Sequence, residues 1–275
     1  MACHYPIKVL DKNKIFHCVP CGQCHYCKLK RVRSWIFRLK KEQNIHNHSL
    51  FITLTYENPP KQASGLATLR KRCFQLFIKR LRENTKETIK YYACGEYGSQ
   101  TRRPHYHAIL FGATAQDIAK AWEGYIEDDI RNGHSRVDEV TSASIAYTCK
   151  YIDKGKTIPL FKGDDRLPEF SLMSKKMGIN YLTPQIIEYH KKTLNAFATL
   201  DEEKFILPRY YKDKIFNSEE KGLLNEQFSI ENKEQYEKQI TAAGSEEKYM
   251  RNLYSALWAN QLASKKHSLT TRKQI

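Results

Sequence analysis

No stretch of the 275 residues approaches eighteen consecutive apolar side chains, so no membrane-crossing helix is expected. The first residues also lack an apolar leader. Cys3, His4 and Pro6 stand where a secretory peptide would need one, so a cytoplasmic protein is expected. Glycine and proline are scarce, at 12 and 9, and there is no repeat or low-complexity tract. The Gly-x-x-x-x-Gly-Lys-Ser/Thr loop of a nucleotide-driven helicase is missing, so any unwinding must come from another protein. Acidic residues are in short supply: 30 Asp and Glu against 46 Lys and Arg give a net charge of +16. Such an excess favours a polyanion, because neutralising phosphates releases condensed counterions. Nucleic acid is the leading partner, and a ribosome- or membrane-surface protein without chemistry is the alternative.

Of eight cysteines, four recur at every third residue: Cys18, Cys21, Cys24 and Cys27. Cys73, Cys94 and Cys149 are scattered singly through apolar segments and read as small buried side chains. In a reducing cytoplasm the cluster reads as metal ligands, with tetrahedral thiolate favouring structural Zn²⁺ over an Fe–S cluster. With Cys3 there are five cysteines for four places; Cys21, Cys24 and Cys27 are the safest, and His4, His17 and His25 are substitutes.

Residues 1–27 read as an irregular lead-in. From Lys28 to Lys41 there are seven basic residues and no acid, and Leu29, Val32, Trp35, Ile36 and Leu39 recur at helical steps. That pattern predicts an amphipathic helix with a basic outer face. Leu50–Tyr56 reads as a strand, 67–82 as a helix, 89–96 and 105–112 as strands, and 115–123 as a helix. Asn132-Gly133 introduces a strand at 134–140, and a last helix capped by Thr141 or Ser142 ends at Gly155. This is an α+β chain in β-α-β-β-α-β order, the ferredoxin-like antiparallel sheet with helices on one face and the other face open. The expected division is a cysteine-rich metal segment with basic helix (1–45), a core (46–160) and a mostly helical C-terminal extension (161–275). In that extension, 185–200 and 245–266 read as helices.

His105 and His107 lie two apart on a predicted strand, so their imidazoles share a face with Ile109 and Phe111. Glu96 closes the preceding strand across a hairpin-like turn, which would bring its carboxylate beside them. Two imidazoles and a carboxylate leave open positions on a catalytic divalent metal, Mg²⁺ or Mn²⁺ for a phosphate substrate. Tyr147 and Tyr151 are four apart on the last helix, with Lys150 and Lys154 at the same spacing on a neighbouring face. A phenol is a poor nucleophile at neutral pH unless a cation stabilises its phenolate. Each pair alone is as readily structural: His-x-His by chance, two tyrosines as a core pair.

Six ordered motifs over residues 1–182 carry a resemblance. They are Cys3 with Val19-Pro20-Cys21-Gly22-Gln23-Cys24-x-x-Cys27 and the Trp35 helix; Phe51-Ile-Thr-Leu-Thr-Tyr56; Gly95-Glu96-Tyr97-Gly98; Arg103-Pro104-His105-Tyr106-His107; Tyr147-x-x-Lys150-Tyr151-x-x-Lys154; and Met173-Ser-Lys-Lys-Met-Gly-Ile179. The pattern resembles HUH-type replication initiators of gokushovirus-like microviruses, small single-stranded DNA bacteriophages. In the last motif Met177 replaces the usual Pro and Asn180 the usual Gly.

The resemblance implies rolling-circle initiation in the cytoplasm of an infected bacterium. A metal at Glu96, His105 and His107 polarises the scissile phosphate, and Tyr147 or Tyr151 attacks it. A 5′-phosphotyrosyl link and a free 3′-hydroxyl result, and a host polymerase extends the hydroxyl behind a host helicase. Lys150 contacts the phosphate or phenolate, with Lys154 as a second candidate. The resemblance also favours Cys3 over Cys18 as the fourth zinc ligand. Two other readings compete. A ferredoxin-like sheet can bind single strands by stacking alone, here on Phe51, Tyr91 and Tyr92; a relaxase or transposase would share the metal site.

Overall fold

The computed structural model describes residues 3, 5–12, 14–127, 130–150, 157–256 and 259. The chain divides into two compact units, Met1–Tyr181 and Leu182–Ile275. Among the described residues no helix is long and apolar enough to cross a membrane.

The first unit opens on a hairpin, β1 (Ile7–Leu10) against β2 (Phe16–Val19), where an irregular lead-in was expected. Helix α1 (His25–Gln43) follows, then β3 (Ser49–Asn58), α2 (Lys71–Asn84), β4 (Lys90–Tyr97), β5 (Pro104–Phe111) and α3 (Ala115–Ala121). After them come β6 (Tyr125–Glu127), β7 (Ile130–Glu139), α4 (Ser142–Lys150) and β8 (Phe170–Met173). A single 3₁₀ turn, Ile179–Tyr181, closes the unit.

Six strands form one antiparallel sheet in the order β6-β7-β3-β5-β4-β8. Its inner four strands have the order predicted for β-α-β-β-α-β, with β3 and β5 central and β4 beside β5. Strand alternation sorts the faces. Ile52, Leu54 and Tyr56 of β3 and Tyr106, Ala108 and Leu110 of β5 pack with Phe74, Phe77 and Leu81 of α2 and Ile118 of α3. The hydrophobic stripe of α2 is what brings it there, leaving Lys71, Arg72 and Lys79 outward. Thr114 and Asp117 cap α3 reciprocally, and Thr141 Oγ1 accepts the Ser144 amide to cap α4.

The second face is not open as expected. Leu39 of α1 and Ile145 and Cys149 of α4 pack on Tyr92, Ile109 and Phe111, with Val32, Trp35 and Ile36 alongside. The apolar stripe of α1 has to leave water, and the far half of this face is where it does so. Helices therefore cover both faces, and only the His105–His107 end of the second one stays accessible.

Three further departures have local causes. Asn132-Gly133 lies inside β7, not ahead of it; a Cβ at Gly133 would meet the Tyr56 carbonyl carbon at 2.7 Å, so glycine permits the close, bulged pairing. Residues 161–181, expected with the C-terminal extension, lie in the first unit, because β8 extends the sheet beside β4. In the second unit α5 (Pro184–Thr193) stops at Leu194, whose φ is 45°, and a hairpin of β9 (Phe197–Leu200) and β10 (Glu203–Ile206) replaces the end of the expected 185–200 helix. Helices α6 (Arg209–Ile215) and α7 (Ser218–Ala243) follow, and residues 246–256 are helical.

The motif at 173–180 is a latch. Ser174 exchanges hydrogen bonds with the Tyr91 backbone, and Arg38 donates to the Met177 carbonyl at 3.1 Å. Glu42, fully buried on α1, accepts from Lys90 (2.8 Å), His46 (2.9 Å) and the Gly178 amide (2.6 Å). Burial alone would push that carboxyl up; these donors outweigh it and hold it below the usual range.

Candidate metal and nucleophile site

The β4–β5 register sets Glu96 opposite His105 and Cys94 opposite His107, while β3 sets Thr53 opposite His107 from the other side. Period-two alternation then puts Glu96, His105, His107 and Thr53 on one face. Glu96 Oε1 lies 2.9 Å from His105 Nε2 and 3.3 Å from His107 Nε2. The ligand atoms of the three all lie within 4.8 Å of one another. Donors at right angles about an ion with bonds of about 2.1 Å are roughly 3 Å apart, so the group is compact enough for a small divalent cation.

Tautomers strengthen the fit. His105 Nδ1 is 3.0 Å from the Arg103 carbonyl, which can only accept, so this nitrogen carries the proton. In the neutral ring Nε2 is then a bare lone pair facing a carboxylate oxygen. Two acceptors at that distance need a cation or an extra proton between them. His107 Nδ1 is held by Thr53 Oγ1 at 2.9 Å, the outer-shell support usual for a ligating imidazole. Burial raises the Glu96 carboxyl, but hydrogen bonds from both imidazoles overcome that and hold it at about 2.

Tyr147, on the first described turns of α4, brings its ring to 5.4 Å from His107, edge to face, and to 6.2 Å from Phe51. Phe51 stacks nearly parallel on His107, at 5.7 Å and 8°. The Lys150 side chain, and Tyr151 and Lys154 entirely, lie outside the described residues. Thr53 was not singled out in the sequence; its signal was a threonine in mid-strand on the face shared with the histidines. The stacking platform of Phe51, Tyr91 and Tyr92 is not assembled. Tyr92 is buried against Trp35, and Tyr91 packs on Phe74 of the opposite layer.

A second group gathers Cys3, Cys21, Cys24 and Cys27, whose sulfurs also lie within 4.8 Å of one another. Cys3 Sγ is 3.5 Å from Cys21 Sγ and 3.8 Å from Cys24 Sγ. Those spacings are too long for a disulfide, and a tetrahedron with Zn–S bonds of about 2.3 Å has edges of roughly 3.8 Å. Backbone amides of Cys24 and Gln23 hold the Cys21 thiol down at about 6, whereas burial pushes Cys27 up to about 12. Cys24 is the N-cap of α1 and Cys27 sits in its first turn, so the group crowns a helix N-terminus, where thiolate is favoured. Gly22, at φ 73°, turns the chain between them, and Arg31 ties this turn to α1 through the Gly22 carbonyl at 3.1 Å. Cys18 is exposed on β2 and outside the group, and His17 pairs with Asp11. His4 and the His25 side chain lie outside the described residues.

Comparison with known proteins bears on this geometry. Residues 49–156 match a family model described as a replication-associated protein of the ORF2 type, a span from β3 through α4. The chain is 28% identical over 232 residues to replication-associated protein VP4 of Bdellovibrio phage phiMH2K, covering 76% of this chain and 71% of that one. It is 29% identical over 226 residues to replication-associated protein ORF2 of Spiroplasma virus 4, covering 75% and 70%. Against replication-associated protein ORF4 of Chlamydia phage 1 it is 27% identical over 219 residues, 72% of this chain and 53% of the relative. No solved structure matches. The resemblance to microvirus replication-associated proteins that the motifs carried is borne out.

Proposed function

We propose that this relative of phage replication-associated proteins initiates rolling-circle replication as an HUH-type tyrosine endonuclease, nicking and rejoining single-stranded DNA at an origin in an infected bacterial cell. The observation that carries the reading is the Nε2 lone pair of His105 facing the Glu96 carboxylate, 2.9 Å away, with His107 and Tyr147 beside it. Glu96, His105 and His107 would hold Mg²⁺ or Mn²⁺, and such an ion supplies Lewis-acid polarisation of a phosphate oxygen. Thr53 and the Arg103 carbonyl fix the imidazole orientations. The Tyr147 phenol loses its proton and its oxygen attacks phosphorus. The P–O3′ bond breaks, and the 3′ oxygen takes up a proton to leave as a hydroxyl that a polymerase can extend. The 5′ end stays on the protein as a phosphotyrosyl ester, and Tyr151 serves the second cut. Lys150, with Lys154 as second candidate, offsets phenolate or phosphate charge. Zn²⁺ at Cys3, Cys21, Cys24 and Cys27 is the matching structural assignment. Host helicase and polymerase would supply unwinding and extension.

The test is a covalent adduct. Incubation with an origin-containing single strand and Mn²⁺ should give a protein–DNA band on a denaturing gel. Replacing Tyr147 and Tyr151 together by Phe should abolish that band while strand binding persists. A band that survives the double replacement moves the nucleophile elsewhere. No adduct with any phage-like strand leaves a binding module.

A further inference from the structure

The hairpin of β1 and β2 is the most unusual surface of the first unit. Tyr5, Ile7, Leu10, Ile15 and Phe16 are each at least half exposed, with Tyr5 at 67% and Phe16 at 69%. A two-stranded hairpin is at best marginally stable alone in water, and apolar exposure on this scale marks an interaction surface. The hairpin does not hang free at its base. Cys3 precedes β1 and Cys21 follows β2, and their sulfurs meet at 3.5 Å with the Cys21 amide donating to Cys3 Sγ. The cysteine group thus clasps the hairpin to the start of α1.

Its charge identifies the partner. Residues 5–33 hold seven lysines and arginines and one acid, Asp11. That acid is engaged within the hairpin: one oxygen accepts the Ile15 amide at 2.8 Å and the other pairs with His17 at 2.9 Å. The register sets Leu10 opposite Phe16 and Lys8 opposite Cys18, so Lys8, Leu10 and Phe16 share one face. That face combines an exposed ring, an aliphatic neighbour and a cation, the pairing of stacking surface and phosphate contact that single strands require. The other face offers aliphatic Ile7 and Val9 beside a histidine already engaged.

We infer that the Lys8–Leu10–Phe16 face of the β1–β2 hairpin docks single-stranded DNA, stacking a base on Phe16 and contacting a phosphate through Lys8. This rests on the nucleic-acid reading of the protein but not on the nicking chemistry. The hairpin would grip the strand away from the scissile phosphate, and the basic start of α1, with Lys30, Arg31 and Arg33 exposed, would continue the track.

The experiment uses the full chain and a fluorescent 20-nucleotide mixed-sequence strand, about the length of a modest binding site, read by anisotropy. Phe16→Ala should raise Kd about tenfold, and Phe16→Trp should restore it. Lys8→Ala should reduce the slope of log affinity against log salt by about 0.7. Circular dichroism unchanged from the parent establishes that the fold is intact, as expected for so exposed a ring. Phe16→Ala binding the strand as tightly as the parent overturns the inference. So does Phe16-dependent binding to anionic phospholipid vesicles without strand binding, which would make the hairpin a membrane contact. A parent chain that binds the strand in a Phe16-dependent way yet forms no adduct supports this inference while overturning the nicking reading. An adduct together with Phe16-independent binding does the reverse.

Discussion

Glu96 faces His105 directly across the β4–β5 ladder, and that register alone brings Oε1 within 2.9 Å of Nε2. A one-residue slip would send either side chain to the opposite face. The pair is therefore a product of strand register, and its partners are replaceable without disturbing the core beneath.

His105→Ala and Glu96→Ala should each lower Mn²⁺ affinity at this site by about 100-fold and cut adduct formation to match. Titration calorimetry and the denaturing-gel assay read the two effects separately. Full-strength metal binding in either variant would remove that residue from the ligand set.

Cys24→Ser should drop bound zinc from about one ion per chain to near none, because one missing thiolate opens a tetrahedral site. Cys18→Ser should leave zinc unchanged, since Cys18 is exposed and apart from the group. Elemental analysis of both purified variants decides between Cys3 and Cys18 as fourth ligand. A loss of zinc in the Cys18 variant would move the site.

Glu42→Gln should destabilise the first unit by about 3 kcal/mol, because the buried Lys90–His46–Gly178 donor set loses its anion. That is a fall in Tm of roughly 9 °C. The pH dependence has a definite sign. The folded carboxyl titrates below its usual value of 4.5, so its stabilisation is present above that value and is lost as pH falls through the depressed folded one. Thermal melts between about pH 3 and pH 7 should show a flatter acid limb in the variant. An identical acid limb would mean that Glu42 is not the group responsible.

Gly133→Ala should cost about 2 kcal/mol in urea unfolding, since the new Cβ must clear the Tyr56 backbone at 2.7 Å. An unchanged midpoint would mean that β7 relaxes away from β3 at little cost.

Much of the sheet was legible because its strands alternate. Ile52, Leu54 and Tyr56 set against Phe51, Thr53 and Thr55 announce a two-sided strand, and the hairpin spacing of Glu96 and His105 follows from it. Where alternation or helical periodicity is lost, so was the prediction. The β1–β2 hairpin exposes both faces, so nothing in its pattern separates inside from outside. Helix α7 buries only Leu224, which leaves no stripe to read. The end of α5 depends on Leu194 adopting a left-handed conformation that leucine rarely takes. The covered second face needed knowledge of where the α1 stripe lands, a tertiary fact absent from local sequence. The metal triad was visible as residues; the orienting roles of Thr53 and the Arg103 carbonyl emerged only from the register and the backbone path.

Glu42 and the 177–180 latch also set a length. Helix α1 runs 19 residues from the cysteine clasp to the latch, about 28 Å at 1.5 Å per residue. Because one end is pinned by thiols and the other by a buried carboxylate, the helix acts as a fixed spacer between clasp and sheet. A strand gripped at the clasp and cut at the sheet would be measured against that spacer. The number of nucleotides between grip and nick then becomes a property of the protein's geometry as much as of the origin's sequence.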